Sequence, residues 1–255
     1  LLAAHLEAHV GRPVKMIRAV QYAPTIEAMR AGKVDIVRSG GPFVYLVAHE
    51  KADAEALVGF GTSAGPGLYR SLIVAHPATG LRSLEDLIAR AGELDFAFVT
   101  PTSASGHLMP RALLEGRGMV PEQDFANLVY TMGHTNSAMT ILAGKVDAGA
   151  ISINPRDRLL EKGGMKPEDL VVLWRSEPVP SGPLMVRRDL PQSLKEAIRQ
   201  AYLAIDDDRN SPLYRAMQAT YLTEDLRFYA VDDERWDGLR TMARNVESMT
   251  MLSGE

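Results

Sequence analysis

The sequence predicts an open α/β fold built from two similar units, followed by a helical tail. Three observations carry this. The pentapeptide Ala-Gly-Lys-Val-Asp occurs twice, at residues 31–35 and 143–147, each time closing a helical pattern and opening a strand. A polar ring stands ten residues before each of the two glycines, Tyr22 before Gly32 and His134 before Gly144. Apolar runs of strand length alternate with helical stretches up to Pro191, and only helical patterns are read beyond it. Both rings therefore fall at the entrance of equivalent helices, and helix starts are where anions bind.

Taken in order, residues 1–10 read as a helix ended by Gly11. Val14 to Val20 reads as a strand, and Ala23 to Ala31 as a helix with Pro24 in its first turn, where a missing N–H does no harm. Val34 to Val37 is a short strand, Gly40-Gly41-Pro42 a turn, Phe43 to Lys51 a helix and Leu57 to Phe60 a strand. The four glycines of residues 59–67 read as a loop. Gly59-Phe60-Gly61-Thr62-Ser63-Ala64 superficially fits a dinucleotide fingerprint, but Gly65-Pro66-Gly67 forbids the helix that must receive a pyrophosphate.

Tyr69 to Ala75 is a strand rich in β-formers. Ser83 opens a helix to Ala91, with Asp86 completing a near capping box. Leu94 to Val99, Leu128 to Thr131, Val146 to Ile151, Leu170 to Trp174 and Leu184 to Val186 read as strands. Helices are expected after Gly106 up to about Gly116, and over His134 to Ala143. In the tail, Gln192 to Asp206, Pro212 to Thr220 and Glu234 to Val246 read as helices. Tyr69–Ala75 and Leu184–Arg188 are the expected crossings between units.

The bulk numbers narrow the function. A length of 255 residues suits one large domain or two ordinary ones. The net charge of −4 carries no nucleic-acid footprint. The absence of cysteine removes thiol catalysis, Cys-ligated zinc and disulfides. No run of eighteen apolar residues exists, the length a membrane-crossing helix needs. The chain starts at Leu1 with no basic n-region in view, so a processed or incomplete chain is expected, with any leader upstream.

The richest segment is Thr100-Pro101-Thr102-Ser103-Ala104-Ser105-Gly106, in which a buried strand runs into a hydroxyl-rich turn and then a helix. The first N–H groups of that helix lack intrahelical acceptors, small side chains let an oxyanion approach, and Ser103 and Ser105 add donors. The same groups equally suit an ordinary N-cap. His134, after Gly133, can donate one ring N–H and is expected to stay neutral, because the positive helix end disfavours imidazolium. Ser105, His134 and Asp147 could be offered as a hydrolase triad, against which stand the missing Gly-x-Ser-x-Gly and the chain order. The six histidines are scattered. His5 and His9 share a helix face without a third ligand, so no metal site is expected.

The combination resembles the periplasmic solute-binding proteins of phosphonate, phosphite and phosphate ABC transporters. The matching stretches are Tyr22-Ala23 with residues 31–35; Gly40-Gly41-Pro42 with Tyr45; Leu68-Tyr69-Arg70-Ser71 with Ile73-Val74; residues 101–106 with Pro110; and Gly133-His134 with residues 143–147. The resemblance implies a two-lobed type II binding fold: lobe one from residues 1–72 and 188–255, its helical tail packing back on it, and lobe two from residues 73–187. It implies capture of a small phosphorus oxyanion by hinge closure, without catalysis or a cofactor, for a membrane permease. It implies a periplasmic location, free or lipid-anchored, and a monomer.

Carried over residue by residue, the ligand-binding positions are Tyr22, Tyr69, Ser103, Ala104, Ser105 and His134. Thr102, Tyr45, Asn154 and Gly182 are secondary or substituent-facing positions. Three departures follow. Ala104 replaces a threonine of the family turn. Asn154 and Gly182 stand where relatives that bind aminoalkyl phosphonates place carboxylates, so aminoethylphosphonate is expected to bind poorly. The strand that precedes the first helix in the family is missing, which is expected to leave lobe one marginal. A sensor domain on the same fold is the second functional class, and a serine hydrolase the third.

Overall fold

In the computed structural model, which describes residues 1–18, 21–38, 40–221 and 223–246, the chain forms two units. Unit 1 comprises Leu1–Leu68 and Pro180–Asp237; unit 2 comprises Tyr69–Val179 and the described residues from Gly238 on. The chain thus changes unit at 68/69, 179/180 and 237/238. The expected crossing at Leu184–Arg188 is corrected: that segment lies inside unit 1, where its strand is hydrogen-bonded on both sides.

Unit 1 opens with α1 (Leu2–Val10), closed by Gly11 at φ 65°, a left-handed cap that glycine adopts without strain. Residues 14–18 form no strand, against expectation, and 19 and 20 lie outside the described residues. Strand pattern alone does not make a strand; a partner must complete the ladder. Met16 and Ile17 of this stretch are exposed. There follow α2 (Tyr22–Arg30), β1 (Ile36–Val37), α3 (Pro42–Ala52), β2 (Ala54–Thr62) and β3 (Gly65–Pro66). The glycine-rich stretch read as a loop is therefore largely a hairpin. Gly61 belongs there because a Cβ would stand 2.2 Å from the Gly65 carbonyl oxygen of the returning strand.

The chain then runs through β4 (Leu68–Tyr69) into unit 2: β5 (Ser71–Ala75), α4 (Leu84–Ala89), β6 (Asp95–Phe98), a π-helical turn (Ala104–Leu108) continuing into α5 (Met109–Glu115), α6 (Pro121–Asp124), β7 (Asn127–Tyr130), α7 (His134–Leu142), β8 (Ala148–Ser152), α8 (Ile153–Glu161) and β9 (Val171–Arg175). The capping box at Ser83 and Asp86 forms as read. Helix α8 was not read from the sequence; Pro155 in its first turn masked it, although proline is tolerated there.

The sheet order in unit 2 is β7-β6-β8-β5-β9, with β6 parallel to both β7 and β8 and β5 antiparallel to β8 and β9. Both faces are buried. Ile73, Phe96, Phe98 and Ala150 enter one core cluster, and Leu72, Val74, Ala97 and Ile151 the other. Alternate residues of each strand serve opposite faces, which is why these strands read as continuous apolar runs.

After β10 (Val179–Pro180), which pairs with β4, the chain re-enters unit 1 with β11 (Leu184–Arg187), α9 (Gln192–Leu203), α10 (Pro212–Tyr221) and β12 (Arg227–Ala230). Unit 1's sheet runs β1-β11-β2-β12, with β3 beside β2, and its pairs are antiparallel. Helices α9 and α10 cover it with Ile198, Ala201, Tyr202, Tyr214 and Met217, over Leu57, Val58 and Val186. Two expectations are corrected here. Strands do not stop after Pro191: Arg227–Ala230 pairs with β2 over Gly61 to Val58, too short a stretch to announce itself. The tail also divides, since α11 (Asp237–Asn245) groups with unit 2 from Gly238 on.

The repeat predicts correctly that two helices end alike. Gly32 (φ 69°) and Gly144 (φ 63°) are both left-handed. Gly32 N–H donates to the Met29 carbonyl and Lys33 N–H to Ala28; Gly144 N–H donates to Ile141 and Lys145 N–H to Thr140. These are the paired bonds of the same helix-terminating motif. Tyr22 and His134 are each the first residue of the helix so ended.

Candidate functional site

Strand β6 carries the hydroxyl-rich turn at its carboxyl end, and β8 ends at Ser152 beside it. From β6 the chain turns outward to β7, whereas from β8 it proceeds through α8 to β9 on the opposite side. Divergence of successive connections at neighbouring parallel strands leaves a crevice at their carboxyl ends, the usual place for a ligand in an open sheet. The amino end of β5 lies at this edge too, since Ser71 pairs with Ser152. Within unit 2 the structure therefore gathers Tyr69, Ser103, Ala104, Ser105 and His134 at one sheet edge. Tyr22, Tyr45 and Gly182 belong to unit 1.

The turn is built as follows. Ser103 N–H donates to the Thr100 carbonyl at 3.0 Å, Val99 N–H to the Gly106 carbonyl at 2.8 Å, and Leu108 N–H to the Ser103 carbonyl at 3.0 Å. That last bond spans five residues, the mark of a π-helical turn, a form that recurs at functional sites. Gly106 is required because a Cβ would meet Val99 Cγ2 at 2.4 Å. The Ser103 hydroxyl oxygen accepts from Gly106 N–H at 2.9 Å, so Ser103 is the cap and its own O–H is left to donate. The Ser105 carbonyl is held by the Ser71 hydroxyl at 2.7 Å. Thr102, Ser103, Ala104 and Ser105 are all buried, and so is the unpartnered Thr100 Oγ1.

His134 has a determined tautomer. Its Nδ1 accepts the Ser152 backbone N–H at 3.0 Å, which leaves the ring proton of a neutral imidazole on Nε2. Nε2 lies 3.4 Å from Ser103 Oγ, a long contact that leaves this N–H available to a better acceptor. Burial holds its pKa down at about 4, below the ordinary 6.5, so the ring is a neutral donor at physiological pH. The hydrolase triad is thereby overturned. A general base needs a bare Nε2, and the orienting place at Nδ1 is taken by a backbone amide. Asp147 instead accepts the Asp95 N–H at 2.8 Å.

The remaining candidates separate. Tyr22, half-buried at the start of α2, has its hydroxyl pKa raised by burial. Tyr45 is fully buried and its hydroxyl donates to Asp233 at 2.6 Å, which makes it a framework residue of unit 1. Asn154 is exposed in the first turn of α8. At Gly182 a Cβ would stand 2.1 Å from the Gly40 carbonyl oxygen, so no side chain fits there. Sequence reading missed Ser71 and Ser152, because lone serines carry no pattern and only the β5–β8 pairing places them. Among the described residues no group of three or more His, Cys, Asp or Glu could hold a metal, and no helix is long and apolar enough to cross a membrane.

Comparison with known proteins gives a consistent result. Residues 1–236 match the family model described as ABC transporter, phosphonate, periplasmic substrate-binding protein. The chain is 26% identical over 198 residues to the phosphonates-binding periplasmic protein of Escherichia coli K12, covering 78% of this chain and 58% of that one. It is 30% identical over 182 residues to the phosphate-import protein PhnD of Mycolicibacterium smegmatis, covering 68% and 55%. It thus spans less than two thirds of either relative. Among solved structures, a binding protein component of an ABC phosphonate transporter from Pseudomonas aeruginosa superposes with a TM-score of 0.82 at 26% identity, covering 94% of this chain and 78% of that one.

Proposed function

Since the chain belongs to the family of periplasmic substrate-binding proteins of phosphonate ABC transporters, we propose that it captures a small phosphorus oxyanion for delivery to a membrane permease. The observation that carries this is the His134 tautomer. A neutral imidazole with Nε2–H fixed by a backbone amide stands beside the Ser103 hydroxyl, in the buried turn that also holds Ser105, at the carboxyl ends of parallel strands. Neutral donors in a buried place bind an anion without an arginine, and they count for more once water is excluded. Tyr69 at the same edge and Tyr22 at the start of α2 complete the proposed set. Hinge bending on capture belongs to the proposal, and a fall in the radius of gyration on ligand addition, measured by small-angle X-ray scattering, checks it.

Ligand choice follows from what the site lacks. The resemblance implies that relatives that take aminoalkyl phosphonates place carboxylates where Asn154 and Gly182 stand here. Asn154 is neutral, and position 182 has no room for any side chain. A ligand ammonium would lose its partners, which leaves a small uncharged substituent or none. Thermal unfolding of the intact protein with phosphate, phosphite, methylphosphonate, aminoethylphosphonate and sulfate tests both points. A ligand at a hundred times its Kd adds about 2.7 kcal/mol of stability. We expect a clear shift with at least one of the first three and none with aminoethylphosphonate. No shift with any phosphorus oxyanion would overturn the reading.

A further inference from the structure

The anion-facing turn has a reverse side, and it is closed by a buried polar group that the capture chemistry does not use. His107, fourth residue of the π-helical turn, is buried, and its Nδ1 lies 3.1 Å from the Pro101 carbonyl oxygen. Two groups converge on its Nε2: Arg111 Nε at 2.9 Å and the Tyr130 hydroxyl at 3.2 Å. A guanidinium N–H can only donate. Nε2 therefore accepts, the ring proton sits on Nδ1, and Nδ1–H donates to Pro101. This is the opposite tautomer to His134, although the two rings flank the same turn.

Arg111 is itself fully buried. It is anchored by Glu115 at 3.2 Å and by both carboxylate oxygens of Glu122, and its guanidinium lies 5.2 Å from the Phe98 ring centroid. His107 and Phe98 meet in a T-shaped contact, 4.8 Å between centroids. The groups that face His107 are thus Arg111, Tyr130, Phe98 and, through Arg111, Glu115 and Glu122. They leave it one orientation and one tautomer. Pro101 has no N–H, so its carbonyl is the one hydrogen-bonding group its own backbone offers for holding it in place.

We propose that His107 is a positioning residue of the turn, holding the Pro101 carbonyl so that residues 102–106 keep the shape that receives the oxyanion. The inference rests on the reading of that turn as the ligand site. Replacing the ring by an apolar group would leave the carbonyl without its donor and free the Pro101–Thr102 peptide to rotate. An asparagine amide reaches the place of Nδ1 and can restore the bond.

The test uses the intact protein and three readouts. The first is the ¹⁵N spectrum of histidine-labelled wild type. We expect a protonated Nδ1 and a bare Nε2 for His107, and the reverse tautomer would overturn the proposal. The second is the amide spectrum of Ala104, Ser105 and Gly106 in His107→Leu and His107→Asn. These signals should move in the leucine variant and return in the asparagine variant. The third is calorimetric affinity for methylphosphonate and inorganic phosphate. Leucine should weaken whichever anion binds by about tenfold, and asparagine should bring it back to within about threefold.

Equal weakening by both variants, or a leucine variant with unmoved amides and unchanged affinity, would overturn the proposal. Should wild type bind neither anion, the capture reading fails, and the amide shifts still decide whether His107 shapes the turn. If the leucine variant does not fold, His107→Gln replaces it, because its amide reaches the place of Nε2 and leaves Pro101 without a donor.

Discussion

His134 and His107 show how far one side chain is defined by what its second nitrogen touches. In His134 a backbone amide on Nδ1 sends the proton outward on Nε2; in His107 an arginine and a tyrosine on Nε2 send it inward on Nδ1. If His134 donates to a bound oxyanion, His134→Ala removes a hydrogen bond to a charged group, worth about 1.5–3 kcal/mol. Affinity should fall about tenfold to a hundredfold by titration calorimetry. His134→Gln, which can place an amide N–H near the same point, should lose less. Equal losses would say that ring burial matters and donation does not. The site residues legible in the sequence were those with a pattern around them. Ser103 and Ser105 stand in a run of small hydroxyl residues, and His134 mirrors Tyr22 in a repeat. His107 and Arg111, four residues apart, were not read as a pair. Nor were Glu122 and Tyr130 legible, because only the fold brings them to that arginine.

At the scale of elements, the turn into α7 carries a cost that can be removed. Met132 adopts φ 60° and is exposed, a conformation that a β-carbon penalises and asparagine tolerates. It sits two residues before His134, with its N–H donating to Val99 at 2.9 Å. Met132→Asn should therefore stabilise unit 2 by about 0.5–1 kcal/mol, read as a higher denaturation midpoint, with ligand affinity unchanged. A lower midpoint would mean that the methionine packs in a way its exposure does not suggest. Elements with caps and long periodic runs were legible: α4 with its capping box, α9 with its apolar stripe, β5 and β6 with continuous apolar residues. Two of those that failed, the strand expected over residues 14–18 and the strand missed at 227–230, failed for one reason. A strand is decided by its neighbour, and the neighbour is remote in sequence.

At the scale of the whole molecule, the two histidine rings held neutral by burial both lie in unit 2, each with its pKa near 4 instead of 6.5. Burial is the leading cause in both; for His107 the Arg111 charge adds to it. The sign follows from proton counting. Between pH 6.5 and 4 the unfolded chain binds protons that the folded rings refuse, so stability is complete above about pH 6.5 and is lost as the pH falls toward 4. The two tryptophans separate the units, Trp236 in unit 1 and Trp174 in unit 2. Single-tryptophan variants should show the Trp174 transition weakening more than the Trp236 transition over that range. His107→Asn should reduce the slope. Coincident transitions would show that the units unfold together.

The sequence by itself determined the fold class, the internal repeat with its paired helix ends, the hydroxyl-rich turn and the family. These rest on local physics: periodicity, caps, and glycine where φ is positive. Only the tertiary structure decided which sheet edge carries the turn, which nitrogen of each histidine holds its proton, that Tyr45 belongs to the framework, and that Gly182 leaves room for no side chain. Most of these depend on contacts between residues from about twenty to more than a hundred positions apart, and even the His107–Arg111 contact, four residues apart, is fixed by burial and by partners that no local pattern encodes.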